Sequence, residues 1–288
     1  MNKSDIICAD VSYFEDRETF VKINDYEKLA NENILIVQSL SNNVNDSVIE
    51  LLFVLDIVKN NNPKSINVLL TYMGYSRQDR IEDLNESFSA KIIAKLLSLS
   101  YISKIFTVDI HSQQTLVFFD VPIINISTSD FVANIIENNY SNKNVVLISP
   151  DIGNIKNIVK LSNKMNFNYN ITIKYRPKAN ENKILSLFGD CVKGKDYIIL
   201  DDIIDSAGTL CNVVEKLLEQ KPNNIYTYIT HGVLSKKSLD RINNLCIKKL
   251  YISNTIYCNK KVKNLKNVEI YSISDYCIEN VKRYIFEN

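Results

Sequence analysis

The sequence predicts an α/β protein built on parallel sheets. Short apolar segments typical of strands alternate along the chain with longer segments of amphipathic, helical pattern. The chain has 288 residues, which is long enough for two domains of ordinary size. A hydrophobic content of 45% and a charged content of 23% are typical of a soluble globular protein.

This alternation assigns the elements in chain order. Strands are expected where a short apolar run ends in polar or turn-forming residues, at 34–39, 66–71, 104–108, 145–149, 170–174, 197–201, 225–230 and 249–252. Helices are expected where apolar residues recur with helical spacing, at 45–60, 89–99, 130–139, 154–166, 207–220, 236–243 and 274–286. Residues 48–55 are apolar on nearly every face, which predicts a helix buried on all sides, in a core or at a subunit contact.

The domain boundary is expected between Pro122 and the helix at Asp130. No linker rich in proline, glycine or serine divides the chain, so the boundary is placed by the order of the elements. Two domains are therefore expected, 1–127 and 128–288.

Composition also argues against several classes of partner. The net charge of +1 gives no sign of a nucleic-acid partner. The longest apolar stretch, 48–58, is interrupted by Glu50 and Asp56 and is too short and too charged to span a membrane. The N-terminus carries acids early and has no apolar core, so no signal peptide and a cytoplasmic location are expected.

The most informative segment is a strand, a pair of acids and a loop of small residues that opens a helix. Asp201 and Asp202 stand at the expected strand end, and the loop is formed by Asp205, Ser206, Ala207, Gly208 and Thr209. Backbone amides at a helix N-terminus bind anions, and the hydroxyls of Ser206 and Thr209 add hydrogen-bond donors. The acids could hold sugar hydroxyls or a hydrated Mg²⁺. The segment predicts a site for a phosphorylated sugar; the alternative is an ordinary turn with solvated acids.

Four more loops that follow expected strands carry polar side chains. Gly74 permits a tight turn before Arg77, which could stack on an aromatic ligand or neutralise phosphate. His111 follows the next strand, where sites of open α/β sheets form, although a lone histidine is more often structural. Asp151 could bind Mg²⁺ or ribose, or simply favour a helix N-terminus. Lys174 and Arg176 would point the same way in extended backbone, which favours a phosphate role over a solvated charged face.

Together these loops resemble the ribose-phosphate diphosphokinase family, also called phosphoribosyl-diphosphate synthetases. The family's G-Y-A-R-Q-D-R resembles residues 74–80, its D-L-H-x-x-Q and F-F-D-I-P resemble 109–114 and 118–122, and its S-P-D-x-G-G resembles 149–154. Its D-D-x-x-D-T-x-G-T, shared with phosphoribosyltransferases, resembles 201–209, and its F-S-D-G-E resembles 14–18. The matching segments follow one another in the same order over most of the chain.

The resemblance implies a fold, a reaction and a set of roles. It implies two similar phosphoribosyltransferase-like domains, with ATP on the N-terminal side and ribose 5-phosphate on the C-terminal side. The reaction moves the diphosphoryl group of ATP to the 1-hydroxyl of ribose 5-phosphate, with Mg²⁺ as cofactor. Members form dimers that assemble into hexamers, so a homo-oligomer is implied.

The implied residues fall into four groups. Phe14 and Arg77 would sandwich adenine, and further ATP contacts would come from Asp16, Glu18, Gln78 and Arg80. Mg²⁺ would be served by His111 and Asp151. Ribose 5-phosphate would be held by Asp201, Asp202, Asp205, Ser206, Ala207, Gly208 and Thr209. Catalysis would fall to Lys174 and Arg176, which match the family's K-x-R.

The chain also departs from the family pattern. Where the family is basic after Arg80, this chain reads Ile81-Glu82-Asp83-Leu84-Asn85, and its sequence begins later than the family's usual start. Asn154 replaces the second glycine of the S-P-D-x-G-G motif. These departures leave two alternatives to an active enzyme, a non-catalytic regulatory subunit of the same family or a phosphoribosyltransferase.

Overall fold

The chain folds into two compact units. A computed structural model describes residues 6–81, 83–140, 144–175, 184–189 and 193–286. The units are Met1–Ile126 and Ser127–Asn288. None of the described helices is both long and apolar enough to cross a membrane.

The first unit contains two sheets within its described residues. Its strands are β1 (Ala9–Tyr13), β2 (Thr19–Ile23), β3 (Asn33–Ser39), β4 (Ser65–Tyr72), β5 (Lys104–Val108) and β6 (Ile123–Ile126). Its α-helices are α1 (Val44–Asn60) and α2 (Ser89–Ser98), and short 3-10 helices span Tyr26–Leu29 and Gln113–Phe118. Strands β3, β4, β5 and β6 form a parallel sheet in that order, whereas β1 and β2 form an antiparallel hairpin.

Helix α1 is buried on one face by the core of its own unit, as the first part of the prediction from the sequence expects. Val48, Leu51 and Leu55 pack into the core of the first unit. Ile49 and Phe53 are 41% and 43% exposed on another face of the same helix. Because large exposed apolar side chains can mark interaction surfaces, the second part of the expectation, a subunit contact, stays a prediction for this face.

The second unit is built on one larger sheet. Its strands are β7 (Val145–Ser149), β8 (Asn168–Tyr175), β9 (Ile184–Gly189), β10 (Asp196–Ile204), β11 (Asn224–Gly232), β12 (Lys249–Ser253) and β13 (Val268–Tyr271). Its helices are α3 (Ser129–Asn139), α4 (Ile155–Met165), α5 (Gly208–Leu218), α6 (Lys236–Asn243), α7 (Asn259–Val262) and α8 (Ser274–Phe286). Over the described ranges the strand order is β13-β12-β11-β10-β7-β8-β9, parallel except for the antiparallel β8–β9 pair.

Strand β10 is central in this sheet and is buried on both faces. Tyr197 and Ile199 pack into one apolar cluster, whereas Ile198 and Leu200 pack into the cluster on the opposite face. Side chains alternate between faces along a strand, and burying one large apolar side chain contributes about 1.5–3 kcal/mol. The packing on both faces therefore fixes the position of the residues that follow in β10.

The predicted class, an α/β protein with mostly parallel sheets flanked by helices, is confirmed. Every predicted strand and helix has a counterpart, whereas β1, β2, β6, β9, β13 and α7 were not predicted. The expected end of the strand at Asp201 is wrong. Ile203 and Ile204 still pair in register with His231 and Gly232 of β11, so β10 continues beyond the two acids.

Candidate active site

The loop between β10 and α5 is held from one side by helix α6 and by Ser235, the residue before it. The backbone amide of Ser235 donates to the Asp205 carbonyl oxygen at 3.1 Å. The Arg241 Nη1 atom donates to the Ser206 carbonyl oxygen at 2.7 Å. Two successive loop carbonyls are therefore fixed by residues far away in the sequence.

The loop passes into helix α5 through a left-handed residue. Ala207 has φ 60° and ψ 9°, directly before the helix begins at Gly208. The amide of Cys211 donates to the Ala207 carbonyl oxygen at 3.0 Å, which closes the first helical turn. The amide groups of Gly208 and Thr209 precede that bond, where helix amides point outward and the helix dipole is positive. This end of α5 has the geometry that favours an anion.

Three carboxylates of the second unit interact electrostatically. Burial raises the pKa of Asp201 well above its usual range, and the charges of Asp202 and Asp151 raise it further. The amide of Asp202 also donates to Asp201 Oδ1 at 3.0 Å. The structure therefore brings these three predicted residues together, on the strand that leads into the loop and on the neighbouring turn.

The turn that carries Asp151 is tied to β10 by Asn154. The Asn154 amide nitrogen donates to Asp151 Oδ1 at 3.2 Å, and the Ser149 hydroxyl donates to the Asp151 carbonyl oxygen at 2.7 Å. The Asn154 side chain donates to the Leu200 carbonyl oxygen at 2.9 Å. Asn154, which replaces a glycine of the family motif, therefore sets the position of Asp151 relative to the strand of Asp201.

The two predicted metal ligands lie in different units. His111 follows β5 in the first unit and is exposed, and the adjacent Ile110 amide donates to Asn125 Oδ1 at 2.9 Å. Asp151 lies in the second unit. In the part of the chain that the structure describes, no three His, Cys, Asp or Glu side chains are grouped as a metal cage.

The loop after β4 carries the predicted ATP contacts of the first unit. An ideal Cβ at Gly74 would lie 2.7 Å from the Leu40 carbonyl oxygen, so only glycine fits where this loop crosses the end of β3. Gln78 is anchored to α2, since its side-chain oxygen accepts from the Ser89 hydroxyl at 2.6 Å. Its backbone oxygen accepts from the Ala90 amide at 3.2 Å. Exposed side chains of this loop include Arg77 and Arg80.

The β1–β2 turn presents the other predicted ATP residues. The ring of Phe14 is 57% exposed and meets Phe20 edge to face, with ring centroids 6.0 Å apart. The turn is closed by the Glu18 amide, which donates to Asp16 Oδ1 at 3.1 Å. Phe14, Glu15, Asp16 and Glu18 line an open depression of about 490 Å³. An aromatic face bordered by carboxylates suits a base and its donor groups rather than phosphate.

The predicted catalytic pair is described only in part. The backbone of Lys174 lies in β8 opposite Leu185 of β9. The Lys174 side chain and all of Arg176 lie outside the described residues.

Arg241 is a residue of this site that the sequence analysis missed. The chain has only six arginines, and this scarcity was a signal that could have drawn attention to Arg241 in the predicted helix 236–243. Its contact with Ser206 joins residues 35 positions apart, which no local pattern reveals.

Comparison with known proteins places the chain in a family. The family described as the N-terminal domain of ribose phosphate pyrophosphokinase matches residues 3–100. The phosphoribosyl synthetase-associated domain matches residues 158–288. A ribose-phosphate pyrophosphokinase of Brucella melitensis is 35% identical over 275 residues, covering 96% of this chain and 88% of the relative. The corresponding protein of Aquifex aeolicus is 33% identical over 273 residues, covering 95% of this chain and 86% of the relative.

A solved structure agrees with these sequence relatives. The crystal structure of phosphoribosylpyrophosphate synthetase from Mycobacterium smegmatis superimposes with a TM-score of 0.88 and 27% sequence identity. The match covers 98% of this chain and 91% of that chain. The resemblance inferred from the loop motifs is thereby confirmed, and the chain belongs to the ribose-phosphate pyrophosphokinase family.

Proposed function

We propose that the protein transfers the diphosphoryl group of ATP to the 1-hydroxyl of ribose 5-phosphate. The products are 5-phosphoribosyl 1-diphosphate, which serves nucleotide biosynthesis, and AMP. One observation carries the assignment to this site. The acidic pair Asp201 and Asp202 lies near the end of β10, shortly before a loop and helix N-terminus suited to an anion, in a chain of this family.

Ribose 5-phosphate is assigned to the β10–α5 segment. Its phosphate would accept hydrogen bonds from the amides of Ala207, Gly208 and Thr209 at the positive end of α5. The hydroxyls of Ser206 and Thr209 add donors. Carboxylates of Asp201 and Asp202 accept hydrogen bonds, so they suit the ribose hydroxyls. One strand and one helix end thus match both parts of the sugar phosphate.

Mg²⁺ is the cofactor that fits the acidic side of the site. Burial raises the pKa of Asp201, and repulsion from the carboxylates of Asp202 and Asp151 raises it further. A divalent cation relieves that repulsion, and Mg²⁺ takes only one or two carboxylates together with waters and substrate phosphates. Asp151 is assigned to a Mg²⁺ site of the second unit, and His111 is assigned to a separate Mg²⁺ site of the first unit. When bound, Mg²⁺ would neutralise charge on the transferring phosphates.

ATP is assigned to the first unit. The Phe14 ring and the Arg77 guanidinium offer two flat faces for adenine. Asp16 and Glu18 line the same depression as Phe14 and can accept from the amino group or the ribose hydroxyls. The remaining contacts are assigned to Gln78, held in place by Ser89, and to Arg80.

The proposed reaction needs no covalent bond between the protein and the transferred group. The 1-oxygen of ribose 5-phosphate attacks the β-phosphorus in line, and the bond from that phosphorus to the α,β-bridging oxygen breaks as AMP leaves. Negative charge spreads over the transferring group, and fixed cations stabilise it. We assign that role to Lys174 and Arg176, whose spacing gives both side chains the same direction in an extended strand.

The protein is expected to act as a homo-oligomer based on dimers, up to a hexamer. The exposed Ile49 and Phe53 on α1 support a subunit contact at this face. A cytoplasmic location and the absence of nucleic-acid and membrane partners stay predictions from composition.

A non-catalytic regulatory subunit is the second candidate. The acidic residues Glu82 and Asp83, where the family is basic, favour it. Lys174 and Arg176 argue against it, because a purely structural subunit has no need of a catalytic pair. A phosphoribosyltransferase is less well supported, since such an enzyme would not need the ATP residues near Phe14 and Arg77.

One assay distinguishes these three functional hypotheses. The purified protein is incubated with ATP, Mg²⁺ and ribose 5-phosphate, and AMP formation is followed with and without the sugar. We expect AMP only when ribose 5-phosphate is present, and its loss in Asp201→Asn. Folded protein that releases no sugar-dependent AMP would reject the enzyme and favour the regulatory subunit.

A further inference from the structure

Arg241 lies behind the loop that we assign to the sugar phosphate. It extends from α6, and its Nη1 atom donates to the Ser206 carbonyl oxygen at 2.7 Å. An ideal Cβ at Gly208 would lie 3.4 Å from the same Nη1 atom. The guanidinium therefore lies against the back of both the loop and the first residue of α5.

The direction of the bonded carbonyls determines where the loop amides point. A trans peptide turns its C=O and the following N–H in opposite directions. The carbonyls of Asp205 and Ser206 face the Ser235–Arg241 segment, at 3.1 Å and 2.7 Å from their donors. The amides of Ser206 and Ala207 must therefore face the opposite side, away from α6. Arg241 thus acts on the anion side of the loop without contacting the anion.

We propose that Arg241 is a positioning residue for the 5-phosphate of ribose 5-phosphate. By fixing the Ser206–Ala207 peptide it aims the Ala207 amide at the phosphate and holds Ala207 in its left-handed conformation. Its positive charge adds to the field of the helix N-terminus. This inference rests on the proposed function, because it assumes that the loop receives a phosphate.

Arginine suits this role better than lysine does. Its donors are arranged in a rigid planar fork, whereas a lysine ammonium is a mobile point charge. Hydrogen bonds from a charged donor to a carbonyl are shorter and stronger than neutral ones. Lysine at this position would keep the charge but hold the peptide less firmly.

The test compares three variants of the full-length protein. Arg241→Met removes the donors and the charge, whereas Arg241→Lys keeps only the charge. Lys237→Met is the matched control, since Lys237 is exposed on the same helix and loses the same charge. Thermal melting checks folding, calorimetry measures ribose 5-phosphate binding, and steady-state assays give KM for each substrate and kcat.

We expect Arg241→Met to weaken ribose 5-phosphate binding and raise its KM by at least about tenfold, the loss of one charged hydrogen bond. The KM for ATP should stay within about twofold, Arg241→Lys should fall between wild type and Arg241→Met, and Lys237→Met should match wild type. Equal increases in both KM values, or an equal effect of Lys237→Met, would overturn the inference.

The remaining outcomes are also decisive. If Arg241→Met does not fold, Arg241→Lys must still weaken sugar binding selectively, and wild-type affinity in that variant refutes the proposal. If the wild-type protein binds ribose 5-phosphate but forms no AMP, the proposed reaction fails while the binding measurements still decide the role of Arg241. If the wild-type protein does not bind ribose 5-phosphate, both proposals fail.

Discussion

The side-chain amide of Asn154 donates a 2.9 Å hydrogen bond to the carbonyl oxygen of Leu200. Leu200 directly precedes Asp201. The backbone amide of Asn154 also donates a hydrogen bond to the side chain of Asp151 and so closes the Asp151 turn. One residue therefore sets the spacing between two of the acids that we assign to the substrates and the metal.

Asn154→Ala should loosen this spacing. Losing the bond to Leu200 is expected to lower the free energy of unfolding by about 1 kcal/mol. The Mg²⁺ concentration for half-maximal activity should rise, because Asp151 is no longer held against β10. Denaturant unfolding and a Mg²⁺ titration measure the two effects. Asn163→Ala, at an exposed position of α4, is the control; an equal response in both variants contradicts the assignment.

Asp201→Asn should stabilise the ligand-free protein at alkaline pH. Because the pKa of Asp201 is raised in the folded state, the folded protein holds this proton to higher pH than the unfolded chain. Its contribution to stability is therefore present at low pH and lost as the pH rises above the unfolded pKa of about 3.9. At pH 8 the variant should melt at least about 2 °C above wild type, and the difference should close toward pH 4.

Asp130→Asn gives the control of opposite sign for that measurement. The hydrogen bond from Lys164 lowers the pKa of Asp130, so this carboxylate contributes stability above its unfolded pKa. The variant should therefore not gain melting temperature at pH 8. A higher melting temperature in both variants would show that loss of any carboxylate stabilises the protein. The raised pKa of Asp201 would then not explain the result.

Gly74→Ala should destabilise the first unit. The added Cβ would lie 2.7 Å from both the Leu40 carbonyl oxygen and Val44 Cγ1, a clash that requires backbone movement. Overpacking of this kind costs about 1–3 kcal/mol, measurable by denaturant unfolding. In Gly208→Ala the nearest atom would lie at 3.4 Å, so its unfolding free energy should change by less than about 0.5 kcal/mol. The reverse ranking would contradict the packing argument.

Phe14→Ala should affect ATP and leave ribose 5-phosphate unchanged. Loss of base stacking is expected to raise the KM for ATP about fivefold or more. The fold should be nearly unaffected, because the ring is 57% exposed. Tyr26→Ala removes an aromatic ring that is 48% exposed in the same unit and serves as the control. Steady-state kinetics with each substrate varied in turn decide, and a rise in the sugar KM alone would refute the assignment.

Lys174→Ala and Arg176→Ala should each lower kcat by orders of magnitude. The reason is that fixed cations stabilise charge that develops only in the transition state. Calorimetry should show ribose 5-phosphate binding within about threefold of wild type, a change below roughly 1 kcal/mol. Lys193→Ala, at an exposed lysine of the same unit, should keep full turnover. A defect confined to sugar binding would exclude a transition-state role.

The parts of the fold that follow local chemistry were predictable from the sequence. Strand β10 was readable because Tyr197–Leu200 is an unbroken apolar run, and the loop after it because small residues and acids stand together. The end of β10 could not be predicted, since Ile203 and Ile204 stay in the sheet through pairing with β11. Strand β1 is exposed along its whole length and carries no burial pattern.

The same distinction applies to the site. Asp151, Asp201 and Asp202 were each predicted as site residues, because sites in parallel sheets form at the carboxyl ends of the strands. The contact of Arg241 with Ser206 could not be predicted, because it depends on how α6 returns to β10 in three dimensions. The exposed face of α1 could not be located from the sequence, because apolarity alone does not show which side of a helix meets the core.

Because Ala207 is left-handed, part of the entropic cost of ordering the loop arises during folding rather than during substrate binding. A glycine would adopt φ 60° without strain but would leave the free loop more conformations, whereas alanine is restricted. The strain at Ala207 arises during folding and is offset when the carbonyls of Asp205 and Ser206 form their hydrogen bonds with Ser235 and Arg241. Less disorder then remains to be removed when a ligand arrives, so the loop is preorganised for capture.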